Sequence, residues 1–285
     1  MDWDPEDYAR HSGAQLAWAR ELIARLDLAP DEAECSTFRA VLDVGCGDGT
    51  ITAEFARALP DGFVLGVDSS PAFVDYARQH RAPSAYPTLR FEIMDARRLA
   101  YPRRFDLIFS NATLHWVDDH RAFLAGCARL LAPGGRLVLS CGGKGNAAAI
   151  VSVMDELIRK PHWARYFAAF AFPYHFYATA DYERWLPEAG FRPTRLELVE
   201  KDMAQQGPGG LAGWIRTTWM PYTHRLPEEH REAFILEAVD DYLREWPLDE
   251  LGRSHVQMVR LEVEASILPT LPPHDGSREQ SWQKG

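Results

Sequence analysis

Between Asp43 and Asp68 the chain carries the residue types needed to hold a cofactor against main chain. The run VLDVGCGDG at 41–49 brings apolar residues into an acid and then sets glycines at 45, 47 and 49. Glycine on alternate positions lets the backbone turn sharply and press against a ligand. The next stretch, TITAEFA, has the composition of a helix, and a second apolar run at 63–67 ends in Asp68, 68 − 49 = 19 residues beyond the last glycine. In a doubly wound sheet an acid at that reach meets a ribose, so the segment predicts an adenosine-containing cofactor. A dinucleotide fingerprint has its third glycine three positions after the second, so that pyrophosphate rests on the helix N-terminus. Here the third comes two after, and Asp43 and Asp48 bring negative charge to the same place. Both features favour a ligand with cationic groups.

The elements that must position these residues follow from periodicity. Strands are expected near 39–44, 63–68, 89–93, 105–110 and 135–141, with helices after most of them, which makes an α/β chain with a parallel sheet. The run LAPGG at 131–135 reads as a helix stop whose glycine takes a left-handed turn. Residues 195–199 and 256–263 alternate or nearly so, and are expected to pair as a hairpin-like edge around a helical insertion. The expected organisation is an N-terminal cap helix at 1–30 and a cofactor-binding core at 31–145. A lid insertion at 146–190 follows, and 191–265 completes the sheet with a second lid at about 204–250. The tail at 266–285, rich in Pro, Ser and charge, is expected to be disordered.

With 285 residues, 46% hydrophobic and 25% charged, the chain has enough material for one large domain and an inserted lobe. Lys and Arg number 31 against 41 Asp and Glu, a formal charge of −10, and no basic stripe forms a phosphate footprint, which argues against nucleic acid. Cys35, Cys46, Cys127 and Cys141 lack paired metal-ligand spacing, and no metal is expected. The opening MDWDPEDYAR has neither a cationic start nor an apolar run, so no membrane segment and a cytoplasmic location are expected.

The 41–49 run, Asp68, Asp95 and LLAPGGRLVLS at 130–140 strongly resemble the class I S-adenosylmethionine-dependent methyltransferases, over about the first half of the chain. That resemblance implies a doubly wound, mostly parallel seven-stranded sheet, the Rossmann-like methyltransferase fold, with helical lid insertions. It implies S-adenosyl-L-methionine as cofactor and S-adenosyl-L-homocysteine as product, and the charge balance together with Ser110-Asn111-Ala112-Thr113, which lacks the paired prolines and aromatic of base-methylating enzymes, makes a small-molecule acceptor the expectation. Carried over residue by residue, it assigns Asp43, Gly45 and Gly47 to the methionine end, Asp68 to both ribose hydroxyls, and Ser69 to the border of the adenine. Asp95 and Ala96 fall where adenine is hydrogen-bonded, Asn111 and Ala112 close the pocket floor, and Tyr8 joins the cofactor set.

The start Trp3-Asp4-Pro5-Glu6-Asp7-Tyr8 and the run Asn111-Ala112-Thr113-Leu114-His115-Trp116 resemble the trans-aconitate methyltransferases. They are also similar to juvenile hormone acid methyltransferases and plant salicylate and jasmonate carboxyl methyltransferases. In those, a glutamine near the N-terminus and a tryptophan after the fourth strand hold the substrate carboxylate. Gln15 and Trp116 occupy the matching places, and a helix puts Ser12, Gln15 and Trp18 nearly on one face. An amide and an indole N–H are neutral donors that can grip a carboxylate without trapping it in an ion pair. An ionised carboxylate needs positioning more than a base, and good alignment supplies roughly 7–11 kcal/mol.

Two aromatic-dense segments are expected to form the lid over the acceptor: one from Gly142 and Gly143 to Trp185, the other 211–222 with Trp214, Arg216, Trp219 and Tyr222. Gly143, Trp18 and these lid residues are candidate acceptor contacts, Arg216 for a second carboxylate. The leading expectation is O-methylation of a carboxylate. The runner-up is hydroxyl O-, C- or N-methylation with His115 as general base. A non-catalytic S-adenosylmethionine-binding protein is the reading from a different class.

Overall fold

In the computed structural model, which describes residues 4–26, 38–81 and 85–268, two helices, α1 (Pro5–His11) and α2 (Gly13–Ala24), precede the sheet. Then strand and helix alternate: β1 (Ala40–Val44), α3 (Thr50–Ala58), β2 (Phe63–Asp68), α4 (Pro71–His80), β3 (Leu89–Ile93), β4 (Phe105–Asn111), α5 (His120–Leu130) and β5 (Leu131–Gly142). The second half continues with α6 (Ala148–Leu157), α7 (Pro161–Ala164), α8 (Thr179–Glu188), β6 (Phe191–Gln206), α9 (Gly207–Thr218), α10 (Met220–Thr223), α11 (Glu228–Glu245) and β7 (Arg253–Ile267). The sheet has seven strands in the order β3-β2-β1-β4-β5-β7-β6, and β7 runs antiparallel to both of its neighbours. It is the mostly parallel, helix-flanked sheet of the Rossmann-like methyltransferases. Strand order reverses between β1 and β4, the switch point where open α/β sheets bind ligands.

Side chains alternate across each strand, so successive residues feed different cores. Leu42, Ile108 and Leu139 pack on one face under Phe123 and Leu124 of α5 and Tyr182 and Leu186 of α8. Val41, Val64 and Phe109 pack on the other, under Phe55 of α3, Val74 of α4 and Ala19 and Leu22 of α2. All five residues of β1 are buried, as expected of a strand covered on both faces. A third core, including Ile150, Trp163, Trp214, Phe234 and Tyr242, fills the lobe built from α6, α7, α9, α10 and α11.

Several elements differ from the sequence reading, each for an identifiable reason. Helix α5 ends at Leu130 and the chain enters β5 at once, because Leu131 already pairs with Phe105. The Pro-Gly-Gly run is absorbed as an irregularity between the Phe105 and Leu107 pairings, so Gly134, at φ +77°, serves inside a strand and not at a helix end. Strands β6 and β7 span 16 and 15 residues, far beyond 195–199 and 256–263. Their backbone ladder continues where β6 is largely solvent-facing and apolar alternation fades. Within 146–190, α8 buries Tyr182, Trp185 and Leu186 in the sheet core, so the part that roofs the site ends before it. Cys35, Trp3 and the tail from 269 lie outside the described residues.

Candidate active site

The glycine turn opens directly from β1. Gly45 and Gly47 adopt φ +76° and +53°, which aims successive amides inward: Gly45 and Cys46 donate to Val67 O at 2.7 and 3.0 Å, and Gly47 donates to Asp68 Oδ2 at 3.1 Å. Asp68 Oδ1 accepts from the Ser70 amide at 2.9 Å, so the carboxylate at the end of β2 is held from two sides. Burial raises its pKa, while these amides pull it back down. Asp43 is buried beneath the turn and accepts from Thr52 Oγ1 at 2.7 Å. Burial, reinforced by the charges of Asp68 and Asp48, pushes Asp43 up to about 7. Among the described residues neither Asp43 nor Asp68 has a cationic partner within 4 Å. Asp48 has turned to the start of α3, accepting from the Thr50 amide and hydroxyl at 3.1 and 2.7 Å.

Over the carboxyl ends of the strands lies a cavity of about 430 Å³, within the range of small-ligand sites. Gly45, Gly47, Asp68, Ser69, Asp95 and Ala96 line it from β1, β2 and β3. Tyr8, Gln15 and Trp18 close it from the N-terminal helices, Asn111, Ala112, His115 and Trp116 from the segment after β4, and Trp214 and Trp219 from the lid. Asp43 borders a smaller adjoining recess shared with Tyr8, Gln15 and Asn111. Asp95 is held ionised by Arg97 at 2.7 Å, which also reaches Asp118 at 3.0 Å across the same end of the cavity. Ala112 takes φ +55°, an uncommon conformation for a residue with a side chain, and its amide is fixed by Ser140 O at 2.8 Å.

Three expected acceptor contacts lie elsewhere. Gly143 sits against the sheet, where an added Cβ would come within 2.5 Å of Leu198 and 3.0 Å of Leu261. Arg216 projects from α9 to the surface and pairs with Glu232 at 2.9 Å, since a helix repeats every 3.6 residues and its neighbours Trp214 and Ile215 take the inner face. Tyr222 is fully buried in the lid core against Phe170, one layer behind Trp219.

The opposite half of the cavity is aromatic. Trp116 meets Tyr174 edge-on at 4.9 Å, and Tyr174 donates to Thr218 O at 2.6 Å, tying the first insertion to the second. The Gln15 main-chain carbonyl accepts from Asn111 Nδ2 at 3.1 Å, which fixes α2 to the end of β4. The Gln15 side-chain oxygen and the Trp219 indole nitrogen are buried without hydrogen-bond partners. His115 is half-buried between Trp116 and Phe176, and its Nδ1 accepts from the Gly142 amide at 3.3 Å. Burial, with the nearby Arg260 charge, pushes its pKa down to about 3. The ring is therefore neutral near pH 7, and with Nδ1 accepting from the amide its proton sits on Nε2.

Sequence reasoning placed Tyr174 and Phe176 within the first lid segment without assigning either a contact, and gave Met258 and Arg260 no site role; all four line the cavity. Arg260 had a legible signal: at two-residue spacing it shares a strand face with Val256 and Met258, the buried face of β7. Among the described residues no group of three or more His, Cys, Asp or Glu converges as metal ligands, and no helix is long and apolar enough to cross a membrane.

Comparison with known proteins agrees with this geometry. A methyltransferase-domain family model matches residues 41–135. A trans-aconitate 2-methyltransferase from Methylobacterium radiotolerans is 32% identical over 254 residues, covering 82% of this chain and 86% of the relative. The chain belongs to the class I S-adenosylmethionine-dependent methyltransferases. A second relative, the trans-aconitate 2-methyltransferase of Methylobacterium nodulans, is 28% identical over 91% of this methyltransferase and 96% of its own length. Among solved structures, magnesium protoporphyrin IX methyltransferase from Synechocystis, with S-adenosylhomocysteine bound, shares the fold at TM-score 0.52 and 16% identity, covering 92% of this chain and 86% of its own. The YcgJ protein from Bacillus subtilis does so at TM-score 0.55 and 17% identity, over 88% and 99%. The methyltransferase site suits its cofactor: a buried and a half-buried carboxylate, Asp43 and Asp68, that lack cations call for a ligand bringing hydroxyls and positive charge, and the glycines of the turn present no side chain to obstruct it.

Proposed function

We propose that this enzyme methylates a carboxylate oxygen of a small-molecule acid. The observation that carries the reading is the state of His115. The imidazole beside the acceptor space already spends its Nδ1 lone pair on a backbone amide, and desolvation with the Arg260 charge lowers its pKa, so it is poorly placed to take a proton from an acceptor. An acceptor that is anionic from the outset needs no proton removed. S-adenosylmethionine supplies the electrophilic methyl group, and its transfer to a carboxylate oxygen leaves an ester and S-adenosylhomocysteine.

The chain's own part is positioning. Gly45 and Gly47 let the methionine end approach main chain, Asp43 lies beneath that end, Asp68 receives the ribose hydroxyls, Ser69 borders the adenine, and Asp95 with the Ala96 amide meets it. Tyr8, Asn111 and Ala112 complete this half. Gln15 and Trp116 hold the reacting carboxylate, and Trp219 walls it from the lid. These groups are neutral, so the nucleophilic oxygen keeps its electron density. The names of the trans-aconitate relatives support a carboxylic acid as acceptor.

Screening carboxylic acids with labelled cofactor is expected to give an alkali-labile product. With that acceptor, Gln15→Ala should lower kcat/KM about a hundredfold and Trp116→Phe about tenfold, values in the range of one or two charge-assisted hydrogen bonds. His115→Gln, which retains an acceptor for the Gly142 amide, should change kcat less than threefold, and kcat should be flat from pH 5.5 to 8. An alkali-stable product together with a wild-type limb near pH 6–7 that His115→Gln removes would establish base-assisted chemistry instead.

Asp43 gives the cofactor half its own test. Its raised pKa means the protonated form dominates below about 7 in the empty site, whereas a cationic ligand favours the ionised form. Affinity for S-adenosylhomocysteine should therefore rise with pH, by about tenfold between pH 6 and 8 as the ionised fraction grows. Calorimetry at both values checks this, and Asp43→Asn should bind weakly and without that slope. Equal slopes in the two proteins would remove Asp43 from the cofactor site.

A further inference from the structure

Among the described residues Arg260 is the only buried arginine or lysine, at 2% exposure, and it lines the acceptor half of the cavity. Its hydrogen bonds go to neutral oxygens: Nε to Ser140 Oγ at 3.2 Å, and Nη2 to Ser140 O at 3.0 Å and Asn111 Oδ1 at 3.5 Å. The guanidinium carbon lies 5.3 Å from the Trp18 ring centre. No carboxylate of the described residues comes within 4 Å of it. Glu262, two positions along β7, is shared by Arg25 at 2.8 Å and Arg195 at 3.0 Å. Burying an unpaired cation is costly, and such groups persist where a ligand brings the counter-charge.

We infer that Arg260 is an anion anchor of the acceptor chamber, and that the acceptor carries a second carboxylate besides the one that takes the methyl. The inference rests on the carboxylate reading above for the identity of the reacting group, while the anchor itself rests on Arg260. Position assigns the anion to the acceptor. Arg260 stems from β7, three strand steps from the glycine turn of β1, and its head faces Trp18 near His115 and Met258, reaching Asn111 and Tyr8 at the junction of the two halves, whereas the acids of the cofactor half lie on β1 to β3. Chemistry agrees, because a bidentate arginine pair would draw charge from a nucleophilic oxygen but suits a carboxylate that stays unchanged. The anchor is thus separate from the neutral grip of Gln15 and Trp116. It takes the role first assigned to Arg216, which the fold commits to Glu232.

The test uses the full chain saturated with S-adenosylhomocysteine and calorimetric titration of dicarboxylates from succinate to adipate, each against the monocarboxylate of equal carbon count. At least one dicarboxylate should bind the wild type ten- to a hundredfold more tightly than its partner. Arg260→Gln should erase that preference and leave S-adenosylhomocysteine affinity within threefold, and Arg260→Lys should retain part of it. Absence of any preference in the wild type overturns the proposal, as does a preference that survives in Arg260→Gln. A tenfold or greater loss of S-adenosylhomocysteine affinity in Arg260→Gln also overturns it, by assigning the anion to the cofactor's own carboxylate. If Arg260→Gln does not fold, the wild-type comparison and Arg260→Lys decide. Selective diacid binding with an alkali-stable product leaves the anchor standing and removes the carboxylate reading, and an alkali-labile product without diacid selectivity does the reverse.

Discussion

Asp68→Ala is expected to weaken S-adenosylhomocysteine binding about a thousandfold while leaving the protein folded. A carboxylate that accepts from two ribose hydroxyls contributes about 1.5–3 kcal/mol per hydrogen bond, so losing both costs about 3–6 kcal/mol of binding. Stability should change much less, because two effects oppose each other. The Gly47 and Ser70 amides lose their acceptor, but a half-buried carboxylate whose pKa desolvation raises is also removed. Asp68→Asn, which keeps shape without charge, should fall between wild type and Asp68→Ala. Calorimetry beside thermal unfolding separates the two quantities, and an Asp68→Ala protein that binds within tenfold of wild type would exclude the ribose role.

Gly45→Ala should abolish detectable cofactor binding and turnover, and lower stability as well. At φ +76° a residue with a Cβ is strained by about 1–2 kcal/mol. That atom would lie 2.1 Å from Thr113 Oγ1 and 2.2 Å from Thr113 Cγ2, so the threonine must move. Thr113 donates to Gly45 O at 3.2 Å and Asn111 O at 3.0 Å, and its displacement shifts the segment carrying Asn111, His115 and Trp116. Overpacking of this kind adds about 1–3 kcal/mol. Gly47→Ala is the informative contrast. Its φ is +53°, yet an added Cβ meets no protein atom within 4 Å, so stability should fall only by the backbone strain while cofactor affinity falls steeply. Equal loss of stability in the two variants would mean that backbone strain, and not the contact with Thr113, governs the turn.

Both variants act where the sequence was most legible. The glycine turn, Asp68 and Asp95 each follow their own strand within a few residues, and parallel strands bring their carboxyl ends to one edge wherever the order reverses. Local pattern therefore placed the turn and its acids, and Asn111 to Trp116 came with them as the continuation of β4. Tyr8, Gln15 and Trp18 were legible through resemblance and helix spacing, but their approach depends on long-range ties, among them Asn111 to the Gln15 carbonyl, Arg260 over the Trp18 ring and Arg25 with Glu262.

The acceptor half was decided by tertiary packing. Arg216 and Tyr222 share an aromatic-rich run with Trp214 and Trp219, and one-dimensional spacing cannot say which of the four faces the cavity until α9 and α10 settle on the lid core. His115 looks like a base in sequence, since a free imidazole titrates near neutrality. Burial beside Arg260 and the Gly142 amide make it a neutral donor. Arg260 itself lies 149 positions from Asn111 and touches it only because β7 inserts antiparallel beside β5. Contiguous residues thus declare the glycine turn and its acids, because chain connectivity places them, whereas groups from five distant segments line the other half of the cavity, and burial sets their charge and orientation only once the chain has folded.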